Sequence, residues 1–208
     1  MGCEASKVVS ISAVMTYLGE PPTLGQCRRA LATQPLDEII EVKGDGVKTE
    51  SQDIAEGFRQ ASGDWILTTN ADCYIPPGFV RTMARWLNSG YDMASGVRVP
   101  SHFGLPRHAT SKMSPGSGVT GSGLLFDRRI LEGVLPFRFR TAWDIELALR
   151  SGARIVIDPS AKIVHDDPYT ASRFTHKAVN YIGRNGAMVF SFGGFQSVCP
   201  VPAAWRRG

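Results

Sequence analysis

The chain has 208 residues, 43% hydrophobic and 20% charged, which is enough apolar material for one core and excludes wholesale disorder. Its net charge of +4 is mild and no Lys/Arg run exceeds a pair, so the sequence carries no footprint of nucleic-acid binding. No apolar run approaches the ~18 residues that a bilayer span requires.

The charge is uneven: residues 1–104 hold 9 Lys/Arg against 12 Asp/Glu, and residues 105–208 hold 14 against 7. The basic half suits phosphates, an anionic acceptor or peripheral contact with a membrane surface. The four cysteines (3, 27, 73 and 199) form no C-x-x-C pair and read as reduced thiols. Met1-Gly2-Cys3 shows no secretory leader, and with Ser6 it is a loose match to a myristoylation pattern. A cytoplasmic location is the expectation.

In chain order, Val8 to Met15 reads as a buried strand. Thr23-x-x-Gln26 reads as a capping box before Leu24, Cys27 and Leu31 at helical spacing. A second strand, Glu38 to Val42, closes at Gly44-Asp45-Gly46. Thr49-x-x-Gln52 caps a second helix with Ile54, Phe58 and Ala61 on one face, and Gly63 sits where a C-terminal cap belongs. Trp65 to Thr69 is a third strand. Pro76-Pro77 opens a third helix that Gly90 ends, and Tyr91 to Val97 is a fourth strand. This alternation predicts an α/β domain with a mostly parallel sheet. Pro100 to Gly121, rich in Ser, Gly, Pro and His, reads as a long functional loop, with His102, His108 and Gly116 to Gly123 as a flap over a ligand. Gly123 to Phe126 is apolar again. Asp144 to Arg150 predicts a helix stopped by Gly152, Arg154 to Ile157 and Lys162 to Val164 predict two short strands, and Thr170 to Ile182 has helical spacing. After Gly183 the pattern reads as peripheral. The boundaries are a domain at 1–190, with halves of about 7–98 and 99–190, and a tail at 191–208.

In such sheets ligands bind at the carboxyl ends of the strands. Three polar clusters fall there: Thr16-Tyr17, Asp45, and Asn70-Ala71-Asp72. Neither G-x-G-x-x-G nor G-x-x-x-x-G-K-[ST] is present, which disfavours a dinucleotide enzyme or a P-loop ATPase. Asp72, at a strand end before a Pro-capped helix, suits a divalent cation on a diphosphate, because the phosphate completes the oxygen shell. It equally suits a turn that bonds its own backbone.

Residues 8 to about 167 resemble the family 2 glycosyltransferases of the GT-A fold. The resemblance is carried by Ser12 to Tyr17, by Glu38 to Val42 with Asp45-Gly46, by Ala61-Ser62-Gly63-Asp64-Trp65-Ile66-Leu67 running into Asn70-Ala71-Asp72, by Gly123 to Arg129, and by Trp143-Asp144-Ile145-Glu146 through Gly152 to Asp158-Pro159 and His165. Met15, Leu18, Lys43-Gly44, Asn70 and Trp143 depart from the family pattern. The departures motivate an alternative, a non-catalytic module that binds a nucleotide sugar or a glycan. A nucleotidyltransferase ranks last, because Tyr17 to Thr23 carries no basic residue to grip a triphosphate.

The resemblance implies transfer of a sugar from a UDP- or GDP-sugar to a hydroxyl on a glycan, lipid-linked or small acceptor, with inversion and with Mn²⁺ or Mg²⁺. Thr16, Tyr17 and Asp45 would line the nucleoside pocket, and Asn70 and Asp72 would hold ribose and metal-diphosphate. His165 would be a second metal ligand, although a strand-end His bonded to Asp166 or Asp167 fits equally. Asp144 would be the general base that an acceptor hydroxyl needs. A helix N-cap is its structural reading and Glu146 is its rival. Arg138, Arg140, Lys177 and Arg184 are candidate phosphate contacts.

Overall fold

The computed structural model describes residues 9–100, 119–140, 142–166, 187–192 and 195–200. The long loop with its histidines, the helix expected over Thr170 to Ile182, Lys177, Arg184 and the start of the chain lie outside the described residues.

Strands β1 (Ile11–Leu18), β2 (Glu38–Gly44), β3 (Trp65–Asn70), β4 (Cys73–Tyr74), β5 (Met93–Pro100), β6 (Leu124–Asp127) and β7 (Ile155–His165) form one sheet in the order β2-β1-β3-β6-β5-β7-β4. β1 is parallel to both β2 and β3, and β5 is parallel to β7. β6 runs antiparallel between β3 and β5, and β4 runs antiparallel on the edge of β7. Helices α1 (Leu24–Ala32), α2 (Glu50–Gln60), α3 (Phe79–Asn88) and α4 (Trp143–Ser151) flank the sheet. A hairpin that the sequence reading missed pairs β8 (Ala187–Phe192) antiparallel with β9 (Phe195–Pro200).

Strand side chains alternate between two cores, as a period of two requires. Ala13, Met15, Leu67 and Leu125 pack with Cys27 and Leu31 of α1 and with Phe79 and Met83 of α3. Val14, Ile66, Leu124 and Phe126 pack with Ile54 and Phe58 of α2 and with Trp143 and Leu147 of α4. Both faces are covered, which is why these strands read as near-continuous apolar runs.

Two capping expectations resolve differently. Thr49 and Gln52 form the reciprocal capping box on α2. Thr23 makes no cap bond; its hydroxyl donates to the Ala71 carbonyl at 2.7 Å and ties the start of α1 to the turn after β3. Gly63 is not a helix cap, because α2 ends at Gln60 with Ala61 extended. A Cβ at Gly63 would lie 2.6 Å from the Ser12 amide nitrogen, so glycine serves close approach to β1. The two strands expected around Asp158 are one strand, interrupted where its pairing with β5 shifts register.

Asp158, buried at that irregularity, accepts from Arg85 at 2.8 Å, the Trp86 indole at 2.9 Å, and the amide and hydroxyl of Ser160. Burial pushes its pKa up, but these donors together outweigh burial and hold the carboxyl below the usual range. The group joins α3 to β7. Asp158→Ala is therefore expected to cost about 2–4 kcal/mol in urea unfolding at neutral pH. A carboxyl depressed in the fold stabilises above the unfolded carboxylate range and loses that contribution as pH falls through it. The gap between wild type and variant should accordingly close in acid.

Candidate active site

A cleft of about 520 Å³ opens at the carboxyl ends of β1 and β3. Among the described residues its walls include Thr16 and Tyr17 from β1, Asn70 and Asp72 from the end of β3, Lys48 and Asp53 around the start of α2, and Arg140. Thr16 and Asn70 are neighbours in the β1–β3 register, and the Thr16 hydroxyl donates to Asn70 Oδ1 at 3.2 Å. The Tyr17 hydroxyl donates to Glu41, which also takes a two-point ion pair from Arg28, so the tyrosine ring is held at the cleft wall.

Asp72 is positioned from both sides. Thr23 holds the carbonyl of Ala71, and the Cys27 thiol reaches the carbonyls of Ala71 at 2.8 Å and Cys73 at 2.6 Å. Burial raises that thiol to about 11, so it stays protonated as a donor. On the other side β4 pairs with β7, placing Cys73 opposite His165, and the Asp166 amide donates to the Asp72 carbonyl at 2.7 Å. The result brings His165 Nε2 to 3.3 Å from Asp72 Oδ2. Asp72 is thus a carboxylate partner of His165. The histidine side chain is 3% exposed and the aspartate side chain 38% exposed, so the pair has one buried anchor and one face open to the cleft.

Asp72, Cys73 and His165 offer ligand atoms within 4.8 Å of one another. A divalent cation with ligands at about 2.1 Å and near right angles spaces adjacent donors about 3 Å apart, so the Asp72–His165 pair fits such an ion. Cys73 fits poorly: burial first, then the Asp72 charge, push its thiol far up, and it donates to Asp72 Oδ1 at 3.5 Å.

Asp45 stands apart from this group. Its exposed carboxylate accepts from the Val47 and Lys48 amides at 2.7 and 2.9 Å, and those bonds, Lys48 first, lower its pKa. It shapes the turn whose Gly46 and Lys48 line the cleft, without lining it itself.

Asp144 is the second residue of α4 and not its N-cap, which is Ala142 in the left-handed region at φ 58°. That turn sends Trp143 into the core against Phe58, with ring centroids 5.4 Å apart, and leaves Asp144 facing the segment before β6. Its carboxylate accepts from the Gly121 amide at 2.6 Å and the Ile145 amide at 2.9 Å. Burial raises its pKa above the carboxylate range, against the pull of the Ile145 amide, Arg98 and the Gly121 amide. Gly121 is required here, because a Cβ would come within 2.9 Å of the Trp143 ring. The positive charge of Arg98 acts on both Cys73 and Asp144. Glu146 is committed elsewhere. It is buried, accepts from the Arg138 and Phe139 amides and from Arg150, and so organises the segment that carries Arg140.

Asp53, Lys48 and Arg98 are residues around the site that sequence reasoning missed. None belongs to a recognisable motif, and the interval from β2 to α2 leaves Asp53 looking like one more charge on a helix surface.

A carboxyl raised in the fold contributes stability that is complete below the unfolded carboxylate range and is lost as pH rises through the folded value. The unfolding free energy of wild type relative to Asp144→Asn should therefore fall as pH rises above the unfolded carboxylate range, at about pH 4, followed by urea titration at each pH.

The Glycosyl transferase family 2 model matches residues 51–129. The chain is 33% identical over 84 residues to an undecaprenyl-phosphate 4-deoxy-4-formamido-L-arabinose transferase of Yersinia enterocolitica, covering 40% of this chain and 26% of that protein. The corresponding transferase of Pectobacterium atrosepticum is 32% identical over 81 residues, 39% of this chain and 25% of that protein. The alignments span about a quarter of these relatives' length. Among solved structures, the mannosyltransferase PcManGT from Pyrobaculum calidifontis, in complex with GDP-Man and Mn²⁺, superposes with a TM-score of 0.67 at 14% identity, over 86% of this chain and 63% of that one. TarS from S. aureus gives a TM-score of 0.56 at 14% identity, over 84% and 40%. The architecture is the GT-A fold, as the sequence resemblance implies.

Proposed function

We propose that this chain, which carries a family 2 glycosyltransferase segment on a GT-A fold, transfers a sugar from a nucleoside-diphosphate sugar to an acceptor hydroxyl with inversion. The observation that carries the proposal is the meeting of Asp72 and His165 beside a cleft lined by Thr16, Tyr17 and Asn70.

In this reading Asp72 and His165 hold the cation, and an oxygen–nitrogen donor pair favours Mn²⁺ over Mg²⁺. The ion, when bound, supplies charge neutralisation for the departing diphosphate. Asn70 accepts from Thr16 through its carbonyl, so its amide hydrogens are left to donate to a ribose or phosphate oxygen. Arg140 adds a cationic donor to the same cleft. Asp144 removes the proton of the acceptor hydroxyl. Its raised pKa suits that role, because a base closer to neutrality drives the transfer more strongly. Trp143, in place of an acidic residue, fills core space and leaves the adjacent carboxylate intact. The acceptor class extends to lipid-linked molecules, since the Yersinia and Pectobacterium relatives are named for undecaprenyl phosphate.

Asp144→Asn is expected to lower turnover by about 10²–10⁴-fold while nucleotide binding stays nearly unchanged. Retained turnover would remove the base and point to an acceptor already ionised, such as a lipid phosphate. Asp72→Ala is expected to abolish the dependence of nucleoside-diphosphate binding on Mn²⁺, read by thermal shift with and without EDTA. Nucleotide binding with no turnover in wild type, across sugar donors and hydroxyl acceptors, would favour a binding module instead.

A further inference from the structure

Beyond the diphosphate and the cation, the cleft carries a carboxylate that the transfer reaction does not use. Asp53 projects from the first turns of α2, half-buried, and lines the cleft together with Lys48. Its Oδ2 lies where a side chain at position 44 would begin, 2.7 Å from a Cβ built on Gly44. The end of β2, lacking a side chain of its own there, thus receives a carboxylate from α2. Asp45, the acidic residue nearest in sequence, is spent on the Val47 and Lys48 amides.

We propose that Asp53 and Lys48 read the nucleobase of the donor, and that the base is guanine. The inference rests on the nucleoside-diphosphate reading above.

Matching hydrogen-bonding edges single out the base. An ionised carboxylate is an acceptor with two oxygens, and an ammonium is a donor. Guanine presents N1–H and N2–H₂ side by side and O6 next to them, so its two donors meet the two carboxylate oxygens while O6 meets Lys48. Uracil offers one N–H between two carbonyl oxygens, which leaves the second carboxylate oxygen facing an acceptor. Cytosine and adenine carry an acceptor nitrogen at the centre of that edge and oppose the carboxylate outright. Burial, followed by the Asp45 charge, raises the Asp53 pKa, so its ionised form gains from a pair of donors. A site built to bond two N–H groups discriminates strongly against a base that lacks one, because a partly buried acceptor is then left unpaired.

The test is isothermal titration of the full chain with GDP, IDP and UDP in the presence of Mn²⁺, for wild type and Asp53→Asn. IDP differs from GDP only in lacking the 2-amino group. Wild type should bind GDP about tenfold or more tighter than IDP or UDP, and Asp53→Asn should bring GDP to the level of IDP. UDP binding as tightly as GDP, or a GDP-to-IDP ratio equal in variant and wild type, would overturn the assignment. The wild-type ranking stands as a test even where the variant does not fold. Mn²⁺-dependent binding without base preference would sink this inference alone, whereas absence of binding by all three diphosphates would sink the glycosyltransferase reading with it.

Discussion

The pairing of β4 with β7 is only two residues long, Cys73 against His165 and Tyr74 against Val164, yet the site depends on it. It brings His165 back to the turn that follows β3, across more than ninety positions of sequence. Without it, Asp72 is a carboxylate on an exposed turn, a common feature with no chemistry of its own. With it, a buried imidazole sits 3.3 Å from that carboxylate and the turn is fixed by backbone bonds on one side and by Thr23 and Cys27 on the other. Rigid elements, and not the loop itself, set the geometry.

The departures from the family pattern read differently once the packing is known. Trp143 exchanges an acidic side chain for a ring among Phe58 and Phe137, and the strained Ala142 turn keeps Asp144 on the other side. Asn70 keeps its bond to Thr16 and gains amide donors that an aspartate lacks. Gly44 leaves space that Asp53 fills. In each case neighbouring side chains occupy the space or supply the donors at the position that departs.

The elements with strong periodicity were legible in the sequence. Leu24, Cys27 and Leu31 mark a buried helical stripe, Thr49 and Gln52 cap a helix, and Gly152 ends one in the left-handed region. The sheet order was not legible. Nothing local in Leu124 to Asp127 says that this strand inserts antiparallel between β3 and β5, because side-chain alternation is blind to strand direction. Residues on the motif-bearing strand ends, Thr16, Tyr17, Asn70 and Asp72, line one cleft as a strand-end argument requires. Thr23 and Asp53 escaped it for a common reason. Each acts on a backbone segment distant in sequence, Thr23 on Ala71 and Asp53 over Gly44, and local capping or helix-surface patterns describe them equally well.

The central claim is that Asp72 and His165 jointly hold the ion that stabilises a departing diphosphate. Anomalous diffraction at the manganese edge, from crystals grown with Mn²⁺ and a nucleoside diphosphate, tests it most directly. The account predicts one peak at about 2.0–2.3 Å from an Asp72 carboxylate oxygen and from His165 Nε2, with diphosphate oxygens completing the shell. A nucleotide seated in the cleft with no peak against these two side chains would contradict it.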